Sequence, residues 1–141
     1  MLRRIALAAA LAAVTVPAHA ENWEPSGRAS GAFTGKITFT PTRIAFQSGA
    51  SLPLAAAGTT RLKTDMDITV TANVYKVTAP AALPPYGGNT LCDGKKVAFI
   101  LVWNDNRFGE PLRQMEPFTG SNFANQSPDD CGRFPYSVNK K

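Results

Sequence analysis

The sequence predicts an all-β fold, a small antiparallel barrel or sandwich of about six or seven strands that follows a cleaved signal peptide. Apolar and polar residues alternate with a period of two in several short segments, as expected of half-buried strands. Turn-forming residues separate these segments at intervals of about ten residues. No helix of about ten residues or more is predicted after residue 20. We favour a barrel, because a short chain closes its sheet edges most easily that way.

Residues 1–20 have the three regions of a secretory signal peptide. Arg3 and Arg4 form a positive start, residues 5–16 are apolar, and residues 18–20 (Ala-His-Ala) supply the small residues of a cleavage site. The apolar stretch is shorter than the roughly 20 residues of a membrane-spanning helix. Its length and alanine content are typical of bacterial leaders. Cleavage after Ala20 places the mature protein in the periplasm or the medium.

The rest of the chain has the length of one domain. We predict an extended N-terminal lead-in over residues 21–31, a single β domain over residues 32–138 and a tail over residues 139–141. Loss of Arg3 and Arg4 lowers the formal net charge from +5 to +3. No dense basic block remains, so nucleic acid is not an expected partner. No later apolar run is long enough for stable membrane insertion, and the sequence indicates no oligomeric state.

The predicted elements follow in order from alternation and turn residues. Residues 97–103 are apolar on both faces, as expected of a strand covered on both sides. Pro53 suggests an edge position for its strand. Three prolines make residues 79–89 a long ordered loop rather than a strand. The predicted strands are residues 33–40, 43–46, 51–57, 66–77, 97–103, 112–118 and 132–138, with a polar connection over 58–65, a hairpin connection over 104–109 and a loop over 119–130.

The two cysteines, Cys92 and Cys131, are predicted to form a structural disulfide. Pairing is the usual state of two cysteines in an exported chain. Their spacing is unlike that of a redox-active C-x-x-C pair. Closing a loop of about 40 residues stabilises the folded state by about 4 kcal/mol in the chain-entropy account.

The mature chain lacks the residue types that most catalytic and metal sites need. His19 is the single histidine and lies in the leader, which excludes Ser-His-Asp and Cys-His arrangements. No phosphate-binding glycine motif occurs. We therefore predict no catalytic residues, no metal site and no cofactor. The neighbouring carboxylates Asp65 and Asp67 are best explained as solvated loop residues, and Asp129 and Asp130 lie in a loop beside Cys131.

Aromatic residues in predicted loops are the candidate binding residues. Loop aromatics on a rigid β scaffold offer a large contact area at low entropic cost. The alternative for each is that it plugs an end of the barrel, and Trp23 is the strongest case for that role. Phe33, Phe39, Phe46, Phe99 and Trp103 fall at inward strand positions and are predicted to be core. The candidate binding residues are Trp23, Tyr86, Gly87, Gly88, Asn89, Phe108 and Phe123.

Three functional hypotheses remain. The leading one is a non-enzymatic binding module that contacts an envelope protein or a glycan through loops held by the disulfide. The alternative is a carrier that holds a small apolar ligand inside a hollow barrel. A third is a carboxylate-based glycan hydrolase, which requires two carboxyl groups in one concave site and one raised pKa.

Overall fold

In the computed structural model, which describes residues 19–64, 66–107 and 109–139, the strands close into an antiparallel barrel. Most of the predicted signal peptide therefore lies outside the described residues, as do Asp65, Phe108 and the last two lysines of the tail. Among the described helices, none has the length and apolarity to cross a membrane. The all-β antiparallel prediction is confirmed.

The elements run in a simple up-and-down order. Each strand pairs with the next along the chain, and the last strand pairs with the first. The described residues form eight strands, one or two more than predicted. In chain order the elements are β1 (Glu21–Pro25), α1 (Arg28–Phe33), β2 (Ile37–Thr40), β3 (Arg43–Phe46), β4 (Ser51–Lys63), β5 (Thr69–Ala81), a 3-10 turn (Leu91–Gly94), β6 (Val97–Asp105), β7 (Leu112–Phe118) and β8 (Phe134–Asn139).

The N-terminal segment differs most from the prediction. Residues 21–31, expected to form an extended lead-in, contribute the strand that closes the barrel and most of a short helix. In β1, Trp23 pairs with Ile37 of β2 on one side and with Val138 of β8 on the other. Phe33 ends α1 rather than starting a strand. A six-residue helix is too short to show a helical period in the sequence. Phe33 at its end continues the apolar–polar alternation of β2, and the two segments together were therefore predicted as one strand.

The hairpin of β4 and β5 is longer than predicted. Residues 58–63, expected to lie in a polar connection, continue β4 after a register shift between Ala56 and Thr59. Gly58 lies in this bulge with φ of +84°, a conformation that suits glycine. The connection itself is short, and the amide of Thr64 donates to the carbonyl of Ile68 at 2.8 Å. Most side chains in this part of β4 are exposed, which is why a polar sequence can form a strand there.

Side chains from all eight strands meet in the interior of the barrel. The rings of Trp23 and Phe39 stack with centroids 4.8 Å apart, and Tyr136 lies 5.5 Å from Trp23. Because this cluster draws on every strand of a closed sheet, it occupies the inside. Its strand members are Trp23, Ile37, Phe39, Ile44, Phe46, Leu52, Leu54, Val77, Val97, Ile100, Val102, Met115, Phe134 and Tyr136.

A second apolar cluster lies on the outer wall of β4 to β7. In β6, Leu101 and Trp103 belong to this outer cluster, whereas Ile100 and Val102 belong to the inner one. The prediction that this strand is covered on both faces is therefore confirmed. Phe99 and Trp103, predicted to point inward, pack on the outer wall, because neighbouring residues in a strand face opposite sides. The buried members of the outer cluster are Leu62, Ala72, Val74, Leu101, Trp103 and Phe118.

Candidate functional site

A cleft of about 360 Å³ lies beside the disulfide at one end of the barrel. The Cα atoms of Cys92 and Cys131 are 4.8 Å apart, so the predicted pairing is confirmed. The bridge joins the turn before β6 to the loop before β8. Phe33 of α1 and Phe134 of β8 line the cleft, with ring centroids 5.9 Å apart. Three separate segments of the chain thus meet around one concavity.

The lining of the cleft combines apolar and charged groups. Buried Leu91 and Phe134 and half-buried Phe33 form its apolar surface. Carboxylates and cations lie around this apolar surface, so the cleft offers a ligand both apolar contact area and polar groups that can fix its orientation. The charged residues that line it are Asp93, Lys95, Asp130 and Arg133.

The turn that carries Cys92 has an uncommon backbone. Cys92 and Asp93 have φ of +56° and +53°, in the left-handed region that non-glycine residues rarely adopt. The amide of Lys95 donates to the carbonyl of Cys92 at 3.0 Å and fixes the turn, together with the disulfide. Such backbone conformations persist only where the surroundings enforce them, and they cluster at ligand sites.

The loop between β7 and β8 is closed at its base by backbone hydrogen bonds. The amide of Thr119 donates to the carbonyl of Asp129 at 2.9 Å, and the amide of Cys131 donates to the carbonyl of Pro117 at 3.0 Å. The disulfide is attached at Cys131, directly at this base. The loop is therefore held both to the barrel and to the turn on the other side of the cleft.

Two adjacent carboxylates organise the inside of the same loop. Asp129 accepts the amide of Asn122 at 3.1 Å. Asp130 accepts the amide of Gln126 at 3.1 Å through one oxygen and the amide of Gly132 at 2.8 Å through the other. The sequence identified these two acids only as polar loop residues. In the structure they accept hydrogen bonds from backbone amides that would otherwise need water.

Glu116 of β7 is a buried acid next to two residues of the cleft. Its carboxyl oxygen Oε1 is 3.5 Å from Nη2 of Arg133. The guanidinium of Arg133 also lies over the ring of Trp103, 5.1 Å from the centroid. Burial, reinforced by the nearby carboxylate of Asp130, raises the pKa of Glu116 to about 8. Glu116 is therefore largely neutral at pH 7.

Further along the same wall, Asp105 is buried but charged. Nε and Nη2 of Arg107 donate to its two oxygens at 2.9 and 2.8 Å, and Nε2 of Gln114 donates at 3.2 Å. The hydrogen bonds from Arg107 are the main reason that the pKa of Asp105 falls to about 2. Within the described residues, three buried atoms on this wall have no protein hydrogen-bond partner: Nε1 of Trp103, Oε1 of Gln114 and Oε2 of Glu116.

Two of the predicted binding residues serve the packing of the barrel. Trp23 is 1% exposed, and its Nε1 donates to Oε2 of Glu21 at 2.8 Å. Phe123 is half-buried and packs edge-to-face on Phe99 and Phe118, with centroids 5.2 and 5.1 Å away. Trp23 therefore faces the interior and Phe123 covers the outer wall. Phe108 lies outside the described residues.

The remaining predicted residues form a tight turn beside α1. Tyr86 and Asn89 exchange backbone hydrogen bonds of 2.9 and 3.0 Å, and Gly87 and Gly88 between them have φ of +56° and +81°. Nδ2 of Asn89 donates to the carbonyl of Ala32 in α1 at 3.1 Å. This turn supports the helix that lines the cleft, but it is not joined to Trp23 or Phe123 in one patch.

At the opposite end of the barrel, the interior opens on a polar mouth. Nη2 of Arg113 donates to both oxygens of Glu21 at 2.8 Å, and a cavity of about 130 Å³ lies beside this pair and Tyr75. Burial and the negative charge of Glu21 raise the pKa of Tyr75. Since Arg113 and Glu21 already bind each other, we place the candidate site at the larger cleft.

Sequence reasoning missed Glu116, Arg133 and Trp103 as members of one cluster. A charged residue inside a predicted strand, between Met115 and Pro117, was an available signal for Glu116. Arg133 gave no comparable signal, because its neighbours in space come from distant strands. Within the described ranges, no group of three or more side chains that could hold a metal ion occurs.

No protein-family model, curated protein or solved structure matches this chain.

Proposed function

We propose that this protein is an exported, non-enzymatic binding module of the bacterial envelope that holds part of an envelope protein or a glycan in the cleft beside the disulfide. The observation that carries this proposal is the way the cleft is fixed. Its walls are joined by Cys92–Cys131, and the loop that forms one wall is ordered by the hydrogen bonds that the Asp130 side chain accepts from the amides of Gln126 and Gly132. A site whose loops are ordered before binding loses less entropy on binding.

The composition of the cleft supports a binding role. Phe33 and Phe134 offer apolar contact area, and the cleft also contains Lys95 and Asp93, which are exposed and of opposite charge. Such a surface can select a ligand by the placement of its polar groups, whereas the apolar area supplies affinity.

Export is part of the proposal. A disulfide-bonded cysteine pair is consistent with an oxidising location, since cytosolic thiols are kept reduced. Together with the leader-like residues 1–20, it supports the periplasm or the medium as the place of action.

The other two hypotheses have less support. The interior of the barrel is occupied by large side chains such as Trp23, Phe39 and Tyr136, which leaves little space for an apolar cargo. Glu116 and Asp130 lie close together, and Glu116 has the raised pKa that a general acid needs. However, the Glu116 side chain is 2% exposed, so a glycan bond has no route to its carboxyl group.

Site-specific photo-crosslinking in bacteria tests the proposal. A photoreactive amino acid replaces Lys95 at the cleft or Arg61 near the far end of the β4–β5 hairpin, and both variants are exported and oxidised. We expect discrete crosslinked products, or retention on purified cell-wall sacculi, for the Lys95 variant. The Arg61 variant is the matched control, because it carries the same probe at an exposed position at the other end of the barrel.

Protein products indicate an envelope protein as ligand, and retention on sacculi indicates a glycan. Equal products from both variants, or none from either, would contradict a binding site in the cleft.

A further inference from the structure

Glu116 lies behind the cleft and touches two of the residues that line it. Its Oε1 is 3.5 Å from Arg133, whereas Oε2 is buried without a protein hydrogen-bond partner among the described residues. The carboxylate of Asp130 is close enough to interact with it electrostatically. Arg133 and Asp130 both line the cleft. The charge on Glu116 therefore acts on two groups of the ligand site.

Among the described residues, the charged groups that act on the titration of Glu116 are Asp130 and Arg133. On β6, the residue opposite is Leu101, and Trp103 is next on the same face. On β7 itself, the neighbours on this face are Gln114 and Phe118. A further charge on the same wall, Asp105, is already bound by Arg107 and Gln114. Arg133 and Asp130 thus dominate the response to a proton on Glu116.

The two protonation states place different demands on the loop. Neutral Glu116 can share its proton with Asp130 and leaves Arg133 over the ring of Trp103. Ionised Glu116 attracts Arg133 more strongly and repels Asp130, in a buried setting where such interactions are little screened. Asp130 in turn holds the amides of Gln126 and Gly132, so its displacement would loosen the loop.

We propose that Glu116 is a proton-operated latch of the cleft: its neutral form holds Arg133 and the loop over residues 119–132 in the arrangement seen here, and its ionisation rearranges both. The consequence for a ligand rests on the proposed binding function, because a cleft that changes with this proton binds its ligand with a pH-dependent affinity. The rearrangement itself is a property of the ligand-free protein, so it can be measured without a ligand.

Nuclear magnetic resonance of the ligand-free, oxidised protein tests the latch. We expect the carboxyl carbon of Glu116, the indole N–H of Trp103 and the amides of Gln126 and Gly132 to shift together between pH 6.5 and 9. Their common midpoint is expected near 8, the pKa of Glu116. In Glu116→Gln, the indole and amide signals are expected to lose this step. Glu110→Gln, at an exposed loop position, is the matched control and should keep it.

A Glu116 carbon that titrates while the Trp103 and loop signals stay constant would overturn the proposal, and this comparison needs only the wild-type protein. A step that persists in Glu116→Gln would do the same. Because no ligand is present, failure here leaves the crosslinking result at Lys95 unaffected, and the two proposals can fail separately.

Discussion

At the scale of single residues, two buried acids on the outer wall of β6 and β7 have opposite charge states for a physical reason. Asp105 receives hydrogen bonds from Arg107 and Gln114, which favour its ionised form. Glu116 has a more distant contact to one arginine and a like charge beside it, so burial dominates and favours its neutral form. Both side chains are hardly exposed, yet their pKa values shift in opposite directions: hydrogen-bond donors dominate at Asp105, and desolvation dominates at Glu116, which lies deeper.

Asp105→Asn is predicted to destabilise the protein by about 2 kcal/mol at pH 7. The lowering of the Asp105 pKa from 3.8 to about 2 corresponds to that amount of stabilisation. The contribution is present above pH 4 and is lost as the pH falls through the folded-state pKa. Urea unfolding of both proteins between pH 7 and pH 2 should show two curves that converge at the acidic end.

Asp67→Asn is the control for this prediction. Asp67 contacts Lys63 at 3.0 Å, but both side chains are largely exposed, so the substitution should change stability by less than about 0.5 kcal/mol. Equal losses for the two variants at pH 7, or a constant difference down to pH 2, would show that the ion pair of Asp105 does not stabilise the fold.

The sequence predicted single-residue burial well where one strand carries its own pattern. Residues 97–103 are apolar on both faces, and the structure covers both. The prediction that Phe99 and Trp103 point inward was wrong, because Phe99 and Ile100 are equally apolar and only the pairing with β5 decides which of them faces the interior. The cluster of Glu116, Arg133 and Trp103 joins two strands and the residue before β8, so no local pattern could reveal it.

At the scale of elements, the connection from α1 to β2 depends on a close approach. Gly35 has φ of +63°, and a Cβ atom there would lie 2.8 Å from Cβ of Gln47 and 2.9 Å from the hydroxyl of Tyr86. Oε1 of Gln47 also accepts the amide of Lys36 at 2.9 Å. The glycine thus lets Gln47, which follows β3, and Tyr86 pack directly against the end of the helix.

Gly35→Ala is predicted to destabilise the protein by more than about 1 kcal/mol, because the left-handed backbone and the crowding both oppose a side chain. Gly31→Ala, in the exposed part of α1 with no atom within 4 Å of the new Cβ, should instead stabilise it by about 0.5–1 kcal/mol. Thermal unfolding of the two variants measures this contrast. A loss of similar size at both positions would contradict the account of Gly35.

The same region shows where element prediction failed. Alternation over residues 33–40 indicated one strand, yet the chain forms a helix end, a turn at Gly35 and then β2. Strand β1 has only one buried apolar residue, Trp23, and a single residue cannot show the alternating pattern of a strand. By contrast, residues 43–46 and 112–118 were predicted with the bounds that the structure shows. In both segments, the flanking turn residues and the apolar residues between them indicate the same limits.

At the scale of the whole molecule, the disulfide and the closed sheet are separate sources of stability. Cys92 and Cys131 lie outside the strands and are 39 residues apart in sequence. The hydrogen bonds that close the barrel join β1 to β8 and do not involve either cysteine. Loss of the bridge should therefore release the loops around the cleft before it opens the sheet.

The double variant Cys92→Ala/Cys131→Ala is predicted to lose about 4 kcal/mol of stability and to keep the barrel at 25 °C. Far-ultraviolet circular dichroism and urea unfolding check the fold and the loss. In this variant, hydrogen exchange should accelerate more at the amides of positions 95 and 131, beside the cleft, than at the amide of Val102 in β6. Uniform acceleration would mean that the bridge supports the whole sheet rather than the cleft.

The pairing of β1 with β8 also sets the order in which this protein can assemble. Asn22 pairs with Asn139, so the contact that closes the barrel joins the two ends of the described chain. Such a long-range contact is slow to form, and it requires β8 to be available before β1 has a second partner. Until then, β1 and β7 each present an unpaired edge to other chains. Aggregation during folding, rather than instability of the finished barrel, is the main hazard that this topology creates.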